Sequence, residues 1–224
     1  MRHTICSLII LMKFPIVGAQ GLSDRYVNGF LWLNKLGAAA AAGQSVVIRQ
    51  TFYHGKYALI GEDLQPNPDF WISALYQKLV GRKVLKISGH KNKGNTLRLF
   101  AHCCKRYDYE SKQPNLRSSD YPRIVIFGLN MSNKTEAVRI KSEKSREDSF
   151  FYESSRIEEF RLSPNNGSLT TRKMQLNGNL LSLEKGWKVP ALGDLGRSVG
   201  EKLELEPYEM AFWTYKAEDR NRVC

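Results

Sequence analysis

Several motifs and residue types are scarce or missing in this chain of 224 residues, and each absence excludes a class of protein. Four cysteines are too few for a disulfide-based scaffold, and no apolar run reaches the roughly 18 residues that span a membrane. The glycine patterns of dinucleotide sites, P-loops and hydrolase nucleophile elbows do not occur. Zinc-finger spacing, basic heptads and RNP aromatics are also missing, so nucleic acid is not an expected partner.

The side chains that bind metals are scattered in the same way. The four histidines are dispersed, and His102 with the two cysteines that follow it lacks the C-x-x-C or H-x-x-x-H spacing of a metal site. We therefore expect no metal and no other cofactor.

Acidic residues are in deficit, since 22 Asp and Glu face 34 Lys and Arg and leave a net charge of +12. Residues 71–107 contain nine of the cations and no acid. Such a run is either a solvated face of the fold or a binding surface for a polyanion. We define the basic patch as seven of these residues: Lys78, Arg82, Lys83, Lys86, Lys91, Lys93 and Arg98.

Residues 1–20 have the composition of a secretory signal peptide cut before Gln20. A short basic start precedes an apolar centre at residues 5–12, and small residues follow it. A buried strand is the alternative, because Lys13 interrupts the apolar run. Three glycosylation sequons, which begin at Asn130, Asn133 and Asn166, agree with secretion.

Residues 97–104 alternate in polarity, which predicts a strand with Cys103 on its apolar face and Cys104 on the opposite face. If Cys6 is removed with the leader, three cysteines remain and one thiol has no partner. We expect a disulfide between Cys103 and Cys224, with Cys104 free. In the chain-entropy model, a closed loop of about 120 residues stabilises a fold by roughly 4 to 5 kcal/mol.

The first half of the chain follows the order helix, strand, loop, helix. Apolar residues recur at helical spacing in residues 24–43, and residues 46–53 are a β-branched and aromatic run typical of a buried strand. A loop rich in Gly and Pro separates this strand from a second helix over residues 68–81. This order is typical of a parallel α/β barrel or sheet, and we assign residues 21–83 to it.

From residue 84 onward, short alternating runs replace the helical period. Nine such runs predict strands, and Asn177-Gly178 between two of them predicts a tight hairpin. Strands at this spacing favour an antiparallel β-sandwich over residues 84–224. The runs lie at residues 84–88, 96–103, 123–129, 136–140, 157–162, 173–176, 180–183, 202–205 and 208–215.

The most informative stretches are residues 29–37, 46–53, 68–81, 101–103 and 173–178, together with Cys224. In this order and spacing they resemble the carboxyl-terminal part of the heparanase family of glycoside hydrolases, which are endo-β-glucuronidases of the extracellular matrix. The resemblance runs from about Gly21 to Cys224. It implies a two-part α+β fold, in which the terminal βα portion of a (β/α)8 TIM barrel is followed by an antiparallel β-sandwich.

The resemblance also implies a substrate site in the loop after the barrel strand. Gln50 matches a family position that hydrogen-bonds the sugar, while Gly55 and Tyr57 match a pair that holds the substrate carboxylate. Lys56 stands where the family usually has Asn. Cys103 and Cys224 match the family's sandwich disulfide, in agreement with the strand alternation.

The catalytic groups that the family uses are missing. Retaining hydrolysis needs two carboxylates about 5 Å apart, an acid/base and a nucleophile. The family's acid follows an Asn, but this chain has no Asn-Glu dipeptide, and the Gly-Glu that should precede Leu22 is absent. Glu62 and Asp63 match no catalytic position. We therefore assign no catalytic residue, and we expect the chain alone to be inactive.

Two hypotheses follow from the resemblance. In the first, the chain is a fragment of a glycoside hydrolase that acts on heparan sulfate, and one barrel strand of eight awaits completion by another polypeptide. In the second, it is a secreted protein without catalysis that binds heparan sulfate or a partner protein. In both, the basic patch binds heparin or a related sulfated glycosaminoglycan. Both place the protein in the extracellular matrix, with lysosomal or membrane-associated locations as alternatives.

Overall fold

The computed structural model describes residues 18–49, 51–88, 96–105, 124–138, 157–200, 202–215 and 224. Within these ranges the fold is mixed α+β, with two helices and a mostly antiparallel sheet. No helix there is long and apolar enough to cross a membrane. The helices are α1 (Tyr26–Ala41) and α2 (Pro68–Leu79), and the strands are β1 (Val80–Leu85), β2 (Leu97–Cys104), β3 (Ile124–Asn130), β4 (Glu136–Val138), β5 (Ile157–Pro164), β6 (Met174–Leu176), β7 (Asn179–Leu180), β8 (Arg197–Val199), β9 (Leu203–Leu205) and β10 (Met210–Tyr215).

Eight strands form one sheet in the order β1-β2-β3-β10-β5-β6-β7, with β8 also paired to β5. The named strand pairs are antiparallel. Strand β10 lies at the centre, between β3 and β5, and all six of its residues are buried. Strands β4 and β9 form a separate pair.

Both faces of the large sheet are covered. Helices α1 and α2 pack on one face, where Phe127 of β3 and Phe212 of β10 lie in the same cluster as Leu33 and Leu75. Strands β4 and β9 pack on the other face, against Trp213 and other residues of β10. Because both faces are covered at β3, this strand is buried along its whole length and reads as an apolar run up to its last residue, Asn130, rather than an alternating one.

The two helices confirm the predictions from helical spacing, with small differences at their ends. In α1, Tyr26, Phe30 and Leu33 face the core at the predicted period. In α2, Pro68 occupies the first turn, where its missing N–H costs nothing. Gly81 was predicted to end α2, but it lies in β1, where a Cβ would come within 2.5 Å of the Cys103 carbonyl oxygen.

The buried strand predicted for residues 46–53 is wrong. The described residues of this segment lie in no strand, and Val46, Ile48 and Phe52 are 54%, 61% and 65% exposed. One isolated parallel bridge joins Tyr53 to Ile60. High β-propensity reflects packing on a sheet, and the described residues offer this segment no neighbouring strand to pair with.

Seven of the nine predicted runs match β2 to β6, β9 and β10, apart from small differences at their ends. The run at residues 180–183 shares only Leu180 with β7. The run at residues 84–88 starts four residues early as β1, which crosses the expected domain boundary between residues 83 and 84. Asn177 and Gly178 form the predicted hairpin turn, with φ of 50° and 83°, between the paired residues Leu176 and Asn179. Strand β8 was not predicted, because it is three residues long and lacks an apolar pattern.

A buried acid fixes β8 on the sheet. Glu159 of β5 is 2% exposed and accepts hydrogen bonds from Arg161 (3.1 Å, Nε), Arg197 (2.9 Å, Nε) and Trp213 (2.8 Å, Nε1). Burial works to raise the pKa of Glu159, but the hydrogen bonds from Arg161 and Trp213 outweigh it and hold that pKa below its ordinary value. The ion pair of Arg197 with Glu159 adds to the backbone pairing of β8 with β5 and to the packing of Val199 against the core.

The structure contains the disulfide between Cys103 and Cys224, with a Cα–Cα distance of 5.6 Å. Cys103 lies on the β4–β9 side of β2, and Cys224 packs against the same cluster. Cys104 faces the helices, where burial raises the pKa of its thiol far above the ordinary value. The predicted alternation is confirmed, although both faces of β2 are covered.

Removing the disulfide with Cys224→Ala should lower the free energy of unfolding by about 2 to 5 kcal/mol, because the unfolded chain regains the freedom of a long closed loop. Urea denaturation measures the change. Cys104→Ala is the control, since it leaves the disulfide intact and should remain sensitive to a reducing agent. If a reducing agent still lowers the midpoint of Cys224→Ala as far as that of the wild type, this pairing is wrong.

Candidate functional site

A cleft of about 770 Å³ lies beside the loop that joins α1 to α2. Its walls come from three parts of the chain: residues before α1, the loop itself and one arginine after β5. The lining residues are Gln20, Gly21, Asp24, Arg25, Thr51, His54, Gly55, Lys56, Tyr57, Gly61, Glu62, Asp63, Asn67 and Arg172.

The structure places Gly55 and Tyr57 in the wall of this cleft, with Lys56 between them. Gly55 has a φ of +101°, a conformation that a residue with a Cβ rarely adopts, and it is exposed. Tyr57 is half-buried, with its ring against the backbone of Gly18. Gln50, the third predicted substrate contact, lies outside the described residues.

Asn67 fixes the conformation of the cleft loop, which is the part of the α1–α2 connection that lines the cleft, residues 51–67. Its side chain is 2% exposed, and its Nδ2 donates to the carbonyl oxygen of Ala58 at 2.8 Å. Its Oδ1 accepts a hydrogen bond from Nε of Arg172 at 2.9 Å. One amide therefore joins the loop to a residue 105 positions further along the chain.

Arg49 fixes the position of Tyr57. Its Nη2 donates to the Tyr57 carbonyl oxygen at 2.8 Å and lies 2.7 Å from Oδ2 of Asp69 in α2. The guanidinium also sits over the Trp32 ring of α1, 4.8 Å from the centroid. The cleft loop is thereby fastened to both helices. The sequence held one signal for this role, a charged residue within an apolar run, which the strand prediction did not use.

Asp69 is the most perturbed carboxyl group near the cleft. It is 2% exposed, and besides Arg49 it accepts a hydrogen bond from Nδ2 of Asn28 at 2.6 Å. Burial raises the pKa of Asp69 from 3.8 to about 6, although Arg49 and Asn28 act in the opposite direction. Asp69 lies in α2 and its carboxylate partners are Asn28 in α1 and Arg49, so it has a structural role between the helices.

Two of the acids that line the cleft, Asp24 and Asp63, are paired with arginines. Asp63 accepts two hydrogen bonds from Arg172, both at 2.8 Å, and these lower the pKa of its carboxyl group. Glu62 lies 3.5 Å from Nδ1 of His54. A general acid in glycoside hydrolysis needs a raised pKa, so Asp63 does not fit that role. Sequence patterns gave no sign of Arg172.

The described members of the basic patch lie along one edge of the large sheet. Arg82, Lys83 and Lys86 are exposed on or just after β1, which is the edge strand, and Lys78 precedes them in the last turn of α2. Arg98 is half-buried on the neighbouring β2. Lys91 and Lys93 lie outside the described residues. Charges on an edge strand also discourage pairing with other chains, so the structure supports both interpretations of the patch.

The three sequons differ in accessibility. Asn130 is fully buried, and its Nδ2 donates to the carbonyl oxygens of Lys134, Leu205 and Glu206 at 2.7, 3.0 and 3.1 Å. A glycan at this amide would have to displace all three bonds. Asn133 and Asn166 are exposed.

No protein-family model matches the chain. It is 33% identical to heparanase of Gallus gallus over 201 residues, which cover 89% of this chain and 35% of that protein. Over 167 residues it is 36% identical to hyaluronoglucuronidase of Hirudo nipponia, covering 74% of this chain and 31% of the relative. The chain resembles the heparanases over most of its length.

This resemblance extends to a relative named for the loss of activity. The chain is 31% identical to inactive heparanase-2 of Homo sapiens over 210 residues, which cover 89% of this chain and 33% of that protein. It therefore resembles active and inactive heparanases to a similar degree. The chain spans about a third of the length of these relatives.

Asp69 and Asp63 should give opposite pH dependences of stability. The folded-state pKa of Asp69 is raised, so its contribution is complete below about pH 4 and is lost as the pH rises through about 6. The shift corresponds to about 3 kcal/mol at most. For Asp63 the folded-state pKa is lowered, so its contribution is present above pH 4 and is lost on acidification.

Urea denaturation of Asp69→Asn and Asp63→Asn between pH 3 and pH 7 measures these contributions. Relative to the wild type, the free energy of unfolding of Asp69→Asn should increase as the pH rises from about 4 to 6. That of Asp63→Asn should decrease as the pH rises from below 4. Parallel pH profiles for the wild type and Asp69→Asn would show that Asp69 is not desolvated as the structure indicates.

Proposed function

We propose that the chain forms part of the substrate-binding face of a heparanase-like glycoside hydrolase, and that the cleft binds a glucuronate unit of a sulfated glycosaminoglycan. The observation that carries the proposal is the position of Gly55 and Tyr57 in the cleft wall. These residues match the family pair that holds the substrate carboxylate. Resemblance to proteins named heparanase and hyaluronoglucuronidase supports a glucuronate-containing polysaccharide, and the heparanase name supports a sulfated one.

Three acids and three Lys or Arg side chains line the cleft, so its suitability for an anionic sugar depends on how these charges are paired. Asp63 is neutralised by Arg172, and Asp24 lies 3.2 Å from Nε of Arg25. Lys56 is exposed and forms no ion pair with any residue that the structure describes. It is therefore available to a carboxylate or sulfate, in place of the neutral Asn that the family usually has.

Hydrolysis is not part of what we propose for these residues alone. The printed sequence contains no Asn-Glu dipeptide, and Asp63 is held as an ionised partner of Arg172. Both catalytic carboxylates would have to come from residues outside this sequence. The exposure of Val46, Ile48 and Phe52 supports a neighbour that would complete a barrel on this side, either another polypeptide or further residues of a longer protein.

We also propose that residues 84–224 are the β-sandwich of that family. The packing of β4 and β9 across one face of the large sheet supports it. An extracellular location follows from the same assignment. The disulfide of Cys103 with Cys224 and the exposed sequons at Asn133 and Asn166 agree with passage through an oxidising compartment.

A second candidate function is binding without catalysis, centred on the basic patch. Arg82 and Lys83 are exposed on the edge strand β1, and Lys86 is exposed just after it. Several exposed cations along one edge favour contact with an extended polyanion. Resemblance to inactive heparanase-2 supports this candidate. The two candidates differ in which residues bind and in whether the sugar carboxylate is recognised.

Titration calorimetry of the purified chain with heparan sulfate oligosaccharides separates the candidates. For cleft binding, Lys56→Ala should weaken affinity about two- to fivefold through loss of one partly solvated ion pair, and carboxyl-reduced oligosaccharides should bind more weakly. Lys134→Ala, an exposed lysine outside both the cleft and the patch, is the matched control and should bind as the wild type does.

For binding at the patch alone, the combined Arg82→Ala, Lys83→Ala and Lys86→Ala variant should lose most of its affinity, while Lys56→Ala keeps it. Reducing-end release from heparan sulfate should stay at background for the chain alone. Cleavage by the purified chain, or no binding by the wild type, would contradict what we propose.

A further inference from the structure

A short turn at residues 184–188 exposes the one accessible tryptophan. Of the four tryptophans in the chain, Trp32, Trp71 and Trp213 are 6%, 2% and 0% exposed, whereas Trp187 is 61% exposed. Among the described residues Trp187 is one of the most exposed large apolar side chains, and Val189, two positions further along, is 43% exposed. Trp187 lines neither the cleft nor the hydrophobic clusters of the fold.

The backbone holds Trp187 in an unfavourable conformation. Gly186 and Trp187 have φ of 80° and 63°, and the turn is closed by hydrogen bonds between Glu184 and Lys188 (2.8 Å) and between Trp187 and Glu184 (3.1 Å). Glycine and asparagine adopt a positive φ readily, but a bulky residue does so at a cost. The fold would accept Asn or Gly at position 187 more readily than Trp, so the side chain is not there to stabilise the turn.

Cations flank the exposed indole. Lys185 and Lys188 are both exposed, and Glu184 is the one acidic residue among residues 184–188. The next residues lead directly to the basic patch, since Val189 to Leu192 line a small cavity together with Lys78 of α2. A Cβ on Gly193 would come within 3.0 Å of Cε of Lys78. The segment that directly follows the turn therefore lies beside the carboxyl end of α2, where the patch begins.

We propose that the turn at residues 184–188 is a separate contact site for a sulfated glycan. The Trp187 indole provides a flat face for a sugar ring, and Lys185 and Lys188 bind sulfate or carboxylate groups. A long polyanion suits this arrangement because the cations continue from the turn through Lys78 toward the edge strand. The ligand class rests on the proposed function, but the residues are distinct from those that line the cleft.

The fluorescence of Trp187 can measure occupancy of the proposed site. Because the other three tryptophans are buried, acrylamide should quench the fluorescence of Trp187 preferentially. A heparin octasaccharide should protect it from quenching, with an apparent affinity that falls as salt is raised. In Trp187→Asn the quenchable fraction should disappear, and octasaccharide affinity should fall about fivefold as the aromatic contact is lost.

The same variant separates binding from folding. Trp187→Asn should unfold at the same or a higher urea concentration than the wild type, because Asn relieves the positive φ. Trp187→Phe keeps an aromatic face and should keep most of the affinity. The double variant Lys185→Ala, Lys188→Ala should reduce the salt dependence of octasaccharide affinity, whereas Lys134→Ala should not.

Two results would overturn this inference and leave the proposed function standing: an octasaccharide that binds Trp187→Asn and wild type equally, or one that binds without protecting Trp187. Protection by vesicles of phosphatidylcholine with one fifth phosphatidylserine, but not by octasaccharide, would assign the turn to a membrane instead. If the octasaccharide protects Trp187 while Lys56→Ala binds as the wild type, the turn is supported and the cleft is not.

Discussion

The guanidinium of Arg49 joins three parts of this structure. It contacts the Trp32 ring in α1, the Asp69 carboxylate in α2 and the Tyr57 carbonyl in the cleft loop. Its side chain is only 15% exposed, so loss of Asp69 would leave a largely desolvated charge without its partner, at a cost of about 3 to 5 kcal/mol. The position of the cleft loop thus depends on an ion pair between Arg49 and α2 and on the contact of Arg49 with a ring of α1.

Local signals in the sequence predicted local structure well. The spacing of Tyr26, Phe30 and Leu33 placed α1, and Asn177-Gly178 placed a two-residue hairpin, because each depends on residues that are neighbours in the chain. The alternation around Cys103 also gave the disulfide. Where a segment needed distant partners, prediction failed. Residues 46–53 have the composition of a strand, yet in this structure Val46 and Ile48 face water.

The candidate site was predicted only in part for the same reason. Gly55 and Tyr57 could be found from the order of residues in a resemblance, since they lie within one short loop. Arg172 could not, because it meets Asp63 across 109 positions and no motif surrounds it. Trp187 could not either, because exposure and backbone conformation are invisible in composition. The sequence alone located the cluster of positive charge, but only the structure showed that part of the basic patch follows an edge strand.

The disulfide has a practical consequence for work with this protein. Cys224 is tied to Cys103 on β2, and β2 pairs with β1 through Val80 with Cys104 and Val84 with His102. Anything fused after Cys224 would leave the fold one strand away from Arg82 and Lys83. An affinity tag or reporter placed there would crowd the cations of the sheet edge and would compete with a bulky ligand.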